Sequence, residues 1–397
     1  MKKFKWINSL FYSICFIVIN CFMSNCSKGS EDAQEPIDSV VEHRSLQELI
    51  KPGFLLGTRV MDGTTSVTDA EIAQKEFNLV QVTCFANYGG WPSRYLHDIS
   101  KITSWANWAS SNNKKVMAHF IIGRKKAMPD WFTSGNWTAA ELETLIDERM
   151  LNLVAPLKDK VHVWNVVNEA LADSYSGFTG SSVPGKKGFR PDDECIFNRM
   201  GWEADASGLE GAYNKVNDSI PVYIRKSFEH ARKYTNAELE LRDYGCEFSV
   251  PRLREPAFYQ LVKHLINKNT PLDAVGLQTH ISGVNAFDET KYNWDQFRQN
   301  IRKYKDLGLK VYLTEVDIST GSFENKIFTP EIALLQKNMY KRLVKEAMDA
   351  GVDGICFWGV ADGEDKTWRT YDKPLLYDEN FKPKPAYWGV HEALEGK

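Results

Sequence analysis

Cysteine is scarce, and its spacing does not suit chemistry. The 397-residue chain has 7 cysteines, and Cys15, Cys21 and Cys26 fall close to its start. Cys84, Cys195, Cys246 and Cys356 remain, with no C-x-x-C pair among them, which leaves no zinc or redox signature. They are expected to be buried free thiols, with one disulfide left open if the protein is exported. Charge of one sign is also lacking. Against 49 Lys and Arg stand 52 Asp and Glu, for a net −3. That balance argues against nucleic acid or an anionic membrane surface as the main partner. No second domain, internal repeat or low-complexity tract stands out.

The N-terminus has its own grammar. Lys2, Lys3 and Lys5 precede an apolar core from Leu10 to Met23 that is too short to be a comfortable membrane span. Met23-Ser24-Asn25-Cys26 then resembles a bacterial lipoprotein cleavage site. In that reading residues 1–26 are a signal peptide, Cys26 is lipidated, and the protein is exported and anchored to a membrane, or otherwise secreted. Residues 27–45 are polar, with Gly, Pro and several acids, and read as a flexible tether.

From residue 46 to 397 strand and helix signals alternate. The expected strands are Phe54–Gly57, Leu79–Phe85, Lys115–Ile122, Val161–Asn168, Glu238–Tyr244, Ala274–His280, Lys310–Asp317 and Gly354–Trp358. Helical stretches include 138–152, 222–233, 256–268, 294–307 and 330–350. Eight strands alternating with helices predict an α/β fold, a single (β/α)8 barrel. One connection is long. After the fourth strand, Asp173 to about Asp218 is rich in Gly, Ser and charge, including Pro184-Gly185-Lys186-Lys187-Gly188. It is expected to overhang the barrel mouth and shape what binds there.

Two strands end in carboxylates. Val161-His162-Val163-Trp164-Asn165-Val166-Val167-Asn168-Glu169 is an apolar run closed by Asn-Glu. Leu309-Lys310-Val311-Tyr312-Leu313-Thr314-Glu315-Val316-Asp317 repeats the pattern. Ionised carboxylates are almost never buried unpaired, and the C-terminal lip of barrel strands is where catalytic groups sit. Two Glu residues facing each other across a barrel mouth are what glycosidic bond cleavage needs. The 12 Trp are expected mainly in the core, with some rings free to stack on sugars.

These motifs resemble glycoside hydrolase family 10, the endo-β-1,4-xylanases. Trp164-Asn165-Val166-Val167-Asn168-Glu169-Ala170 is similar to that family's acid/base motif. Leu313-Thr314-Glu315-Val316-Asp317 is similar to its nucleophile motif, and Gly276-Leu277-Gln278-Thr279-His280 to its sixth-strand motif. Phe357-Trp358-Gly359, the later Trp368 and the segment from Pro374 to Tyr387 resemble its C-terminal signatures. The likeness runs from about Gly53 to the end. It implies Glu169 as general acid/base and Glu315 as nucleophile, in a double displacement with retained configuration. It implies that His280 hydrogen-bonds the nucleophile, that Asp317 steadies His280, and that His119, Asn168, Gln278, His280, Trp358 and Trp368 line the substrate site.

The pattern departs from the family at two places. The family's second strand carries a Glu-Asn pair and a following Lys that grip sugars on the non-reducing side. Here Thr83, Cys84 and Asn87 stand at those positions. The third strand runs into a Trp-His pair in the family, and here into Gly123-Arg124, followed by Lys125 and Lys126. Neutral short side chains cannot copy charge-assisted contacts to sugar hydroxyls. The new basic groups point to an acidic substituent, such as a uronic acid, or else are solvated lip residues.

The expected function is therefore cleavage of internal β-1,4-xylosidic linkages of xylan or decorated xylan, by a monomer with no metal or organic cofactor. Two alternatives stay open: a related retaining glycosidase acting on another β-glycan, and a non-catalytic carbohydrate-binding surface lipoprotein.

Overall fold

The computed structural model describes residues 43–61, 65–173, 188–211, 215–248, 254–281, 287–321, 328–363 and 372–397. Cys26, Trp368, the leader and nearly all of the expected tether lie outside the described residues, as does Pro184-Gly185-Lys186-Lys187. Residues Arg44–Lys397 form one compact unit.

The barrel strands are β1 (Leu55–Val60), β2 (Leu79–Thr83), β3 (Lys115–Ile122), β4 (Val163–Asn168), β5 (Glu238–Asp243), β6 (Ala274–Leu277), β7 (Lys310–Ile318) and β8 (Gly354–Phe357). Each pairs in parallel with the next, and β8 pairs with both β7 and β1, which closes the sheet. Helices follow the strands in turn: α1 (Val67–Glu76), α2 (Ser100–Ser111), α3 (Ala139–Arg149), α4 (Val222–Arg232), α5 (Arg254–Asn267), α6 (Trp294–Asp306), α7 (Pro330–Ala350) and α8 (Pro385–Leu394). This is the (β/α)8 barrel that the alternation predicts.

The strands read as apolar runs because both of their faces are covered. In β3 and β7 every residue but the first is buried. Leu79, Met117, Val163, Ala274, Tyr312 and Cys356, drawn from six strands, touch one another as a separate apolar cluster. Residues of six strands can meet only inside the barrel, so this cluster is its floor. Helix boundaries follow local chemistry. Ser66 with Asp69, and Thr138 with Glu141, form capping boxes at α1 and α3. Thr329 caps α7, Pro330 opens it, and Gly351 closes it at φ 88°.

Three strand pairs slip register near the mouth: β3–β4 after His119, β4–β5 after Asn165 and β7–β8 after Leu313. Such bulges re-aim side chains next to active sites.

Some boundaries differ from expectation. β1 continues past Gly57 to Val60, which brings Arg59 into the strand. The helix expected over 138–152 leaves α geometry after Arg149 and passes through a wider π turn over Met150–Val154. Pro156 follows, and it cannot serve as a helix-interior donor. The long connection after β4 holds a 3-10 turn at Ile196–Met200 and an antiparallel pair, Trp202–Ala204 with Ser219–Pro221. Cys84, Cys195, Cys246 and Cys356 are buried and free.

Candidate active site

Glu315 lies in β7, and its carboxylate is held from several strands. Its Oε2 is 3.2 Å from Nε2 of His280, whose Nδ1 is 2.8 Å from Oδ1 of Asp317. Its Oε1 accepts from Arg242 Nη1 at 3.2 Å. The same oxygen is 3.7 Å from Nε2 of His119. Burial pushes the Glu315 carboxyl up, but His119, the hydrogen bond from His280 and the Arg242 charge outweigh it and bring it down to about 2. Burial lowers His280, yet its two carboxylate partners, Asp317 before Glu315, raise it to about 10, so it is an imidazolium at neutral pH.

His119 behaves differently. Burial pushes it down to about 3, so its ring is neutral. Arg242 Nη1 approaches His119 Nδ1 at 2.9 Å. A guanidinium only donates, so Nδ1 accepts, and the ring proton sits on Nε2, the nitrogen that faces Glu315.

Arg242, at the end of β5, is fully buried. A bidentate pair to Glu240, at 2.6 and 3.1 Å, balances its charge. Gln81 accepts a further bond from it at 2.9 Å. Gly276 leaves room for this pair, since a Cβ there would overlap the Glu240 carboxylate. The glycine of the sixth-strand motif thus makes space for the partner of the arginine beside Glu315.

Glu169 follows β4 with φ 56°, in the left-handed region. Non-glycine residues in that region cluster at functional sites. Its backbone N–H donates to Arg242 O at 2.9 Å, and its carbonyl accepts from Arg190 Nε at 2.6 Å. Gln278 Nε2 donates to Glu169 Oε1 at 3.1 Å and to Asn168 Oδ1 at 3.4 Å. The Gln278 carbonyl accepts from the Glu315 N–H at 3.0 Å. One residue therefore ties the two catalytic candidates together. Thr279 beside it also has a positive φ, 62°. Its N–H is taken up by Glu247 Oε1 at 2.6 Å.

Two arginines reach the other oxygen of Glu169. Arg190 Nη2 and Arg124 Nε each lie 3.3 Å from Oε2. Arg190 also bonds both oxygens of Asp173, at 2.6 and 2.8 Å, and Glu194 at 3.0 Å. Tyr244 OH donates to Asp173 Oδ1 at 2.5 Å.

Trp358 follows β8 and forms a wall. Its ring centroid is 5.2 Å from that of His119 and 6.0 Å from that of His280. The Arg59 guanidinium lies 4.6 Å over its face. The structure thus brings together Glu169, Glu315, His119, Asn168, Gln278, His280, Asp317 and Trp358. Trp368 lies outside the described residues.

The divergent lip is built differently. Cys84 is buried with its thiol pushed up to about 12 by burial, so it presents no charge. Asn87 spends its amide on Lys126 O at 2.8 Å. At Gly123 a Cβ would overlap the Phe120 ring, which fills that space.

Sequence reasoning missed Arg190, Arg242, Arg59 and Asp173. A signal for Arg242 was present. Glu238, Glu240 and Arg242 alternate along β5, and alternation puts them on one face. Charged residues on one face of a strand buried on both sides call for partners inside the barrel.

An ionised, cross-braced carboxylate beside a second carboxyl at a barrel mouth suits glycosidic cleavage. Comparison with known proteins agrees. The chain matches glycosyl hydrolase family 10 over residues 45–191 and 207–393. Endo-1,4-beta-xylanase B of Thermotoga neapolitana is 26% identical, with 97% of each chain covered. Endo-1,4-beta-xylanase C of Paenibacillus barcinonensis is 30% identical over 89% of this chain and 32% of that longer one. Xylanase 10B from Thermotoga petrophila RKU-1, solved in complex with xylobiose, superposes with a TM-score of 0.70 at 25% identity, covering 90% of this chain and 99% of that one. The chain is a glycoside hydrolase and belongs to glycosyl hydrolase family 10.

Proposed function

We propose that this enzyme is a retaining xylanase that cuts internal β-1,4-xylosidic linkages of xylan, including decorated xylan. The observation that carries the reading is Glu315, an ionised carboxylate between His280 and Arg242 and joined through Gln278 to Glu169. Glu315 attacks the anomeric carbon while Glu169 gives a proton to the departing oxygen. In the second step Glu169 takes a proton from water, which displaces Glu315 from the sugar. His280 and Asp317 hold the attacking oxygen in line, and Trp358 supports the sugar ring beside it. The xylobiose bound to the Thermotoga petrophila relative supports xylose units as the substrate. The losses at Thr83, Cys84 and Asn87 favour a decorated chain over a bare one, because the glycone grip is weakened.

Product analysis tests the reading. Plain xylan, glucuronoxylan, arabinoxylan, mixed-linkage glucan and β-1,3-xylan are incubated with the protein, with Glu315→Ala as the blank. Xylo-oligosaccharides absent from the blank, and a β-anomer as first product by proton NMR, are expected. An α-anomer as first product contradicts the retaining mechanism, and release from the glucan alone contradicts the substrate.

We propose further that residues 1–26 export the chain and that Cys26 carries its lipid. Radiolabelled fatty acid is expected in the wild-type protein and absent from Cys26→Ala. Label in both contradicts the anchor. The catalytic unit is proposed to act as a monomer on polysaccharide without a metal or organic cofactor.

A further inference from the structure

Every described partner of the Glu169 carboxylate is a donor. Gln278 occupies Oε1, and Arg124 and Arg190 share Oε2. A general acid must turn one oxygen, with its proton, toward the leaving group, and a guanidinium cannot accept that proton. Oε2 carries two guanidinium donors where Oε1 carries one amide, so withdrawal of a donor from Oε2 opens that oxygen to a proton and a leaving group.

The two arginines are unequal. The Arg190 side chain is 2% exposed and fixed by Glu169 O, both oxygens of Asp173, and Glu194. The Arg124 side chain is 39% exposed and is held by Glu169 at 3.3 Å and Asp173 at 3.6 Å. Arg124 is the one free to leave. Its backbone is fixed even so: Lys125 N donates to Glu194 O at 2.8 Å, and Lys126 O accepts from Asn87 at 2.8 Å. A fixed turn therefore carries a side chain able to swing. Lys125 and Lys126 beside it are exposed, and among the described residues neither has a carboxylate partner. The lip on this side is cationic at Arg124, Lys125 and Lys126.

We propose that Arg124 is a specificity residue that exchanges Glu169 for a carboxylate on the substrate, so that a uronate-substituted xylan frees the general acid. The inference rests on the xylanase reading above. A uronate docked between Arg124 and the two lysines gives the guanidinium a replacement partner of the same chemistry. A neutral chain offers no such partner, and Arg124 stays on Glu169. The exchange itself swaps one ion pair for another and makes or breaks no covalent bond.

The test uses the full-length protein, glucuronoxylan, and the same polymer with its uronic acids reduced to neutral sugars. Wild-type kcat/KM is expected to favour the native polymer by about tenfold or more, the scale of one charge-assisted contact. In Arg124→Gln the rate on the native polymer falls, the rate on the reduced polymer rises, and the ratio approaches one. Arg124→Lys keeps part of the ratio. Opposite signs on two polymers with one backbone cannot come from general misfolding. Equal loss on both polymers, or no wild-type preference, overturns this inference and leaves the xylanase reading intact. Absence of cleavage of either polymer overturns both.

Discussion

Three arginines touch the two proposed catalytic carboxylates, and Arg242 and Arg124 are built in opposite ways. Arg242 beside Glu315 is fully buried, neutralised by Glu240 and packed under a glycine that has no room for a Cβ. Arg124 beside Glu169 is 39% exposed and held by carboxylates alone. The nucleophile must stay ionised and in line through the attack, which suits a locked environment. The acid/base must change protonation state twice per turnover, which suits a partner that can leave. Arg190 stays locked on Glu169, so the freedom lies in Arg124, beside the carboxyl whose charge is proposed to change.

The largest effect is expected at the carboxylates. Glu315→Ala should lower kcat on xylan on the order of 10⁴-fold or more. Glu169→Ala should do the same on polysaccharide but cost far less on an aryl xylobioside with a good leaving group, which needs no proton. Steady-state rates on both substrates check this, and equal loss on both denies Glu169 the acid role.

Arg242→Met comes next. It strands the Glu240 charge in the barrel, and breaking a buried pair costs about 3–5 kcal/mol, read as a lower Tm. Adding Glu240→Gln should restore most of the Tm but not the activity, because Glu315 Oε1 still lacks the Arg242 donor. A double variant with wild-type kcat would reduce Arg242 to a packing element.

Asp317→Asn removes the group that orients His280. A loss of up to about 10²-fold in kcat is expected from the misplaced nucleophile, with a lower Tm because the His280 imidazolium loses its buried partner. Activity at the wild-type level would show that His280 is held by other contacts.

The smallest effect is on stability against pH. Glu315 is depressed from 4.5 to about 2. Its contribution is present above 4.5 and lost as pH falls through about 2. His280 is raised from 6.5 to about 10. Its contribution is complete below 6.5 and lost as pH rises through about 10. Tm measured across pH should decline at both ends, and in His280→Gln the alkaline decline should shrink. An unchanged alkaline limb would place that titration elsewhere.

Much of this was legible in the chain. Apolar strands that end in Glu169 and Glu315 signal both the barrel and its chemistry, because two such carboxylates at separate strand ends, with the motifs around them, outweigh a cap or an ion pair as the reason for each. Helix ends such as Thr138, Pro330 and Gly351 carry their own stop and start chemistry. Arg190 was not legible. It reaches Glu169 from 21 residues downstream, across a connection whose path no periodicity fixes. Arg124 was singled out for its charge, but not for its contact with the acid/base, which depends on the turn after β3. The neutrality of His119 and the charge on His280 were equally hidden, since both depend on neighbours from other strands.

The most direct test is to trap the intermediate. An activated 2-fluoro-xylobioside, which forms the glycosyl-enzyme faster than water removes it, is incubated with the protein and followed by intact mass and peptide mapping. One xylobiosyl adduct on the peptide carrying Glu315, absent from Glu315→Gln, is the expected result. An adduct on another residue, or none while the reagent is turned over, would contradict the assignment of Glu315 as the nucleophile.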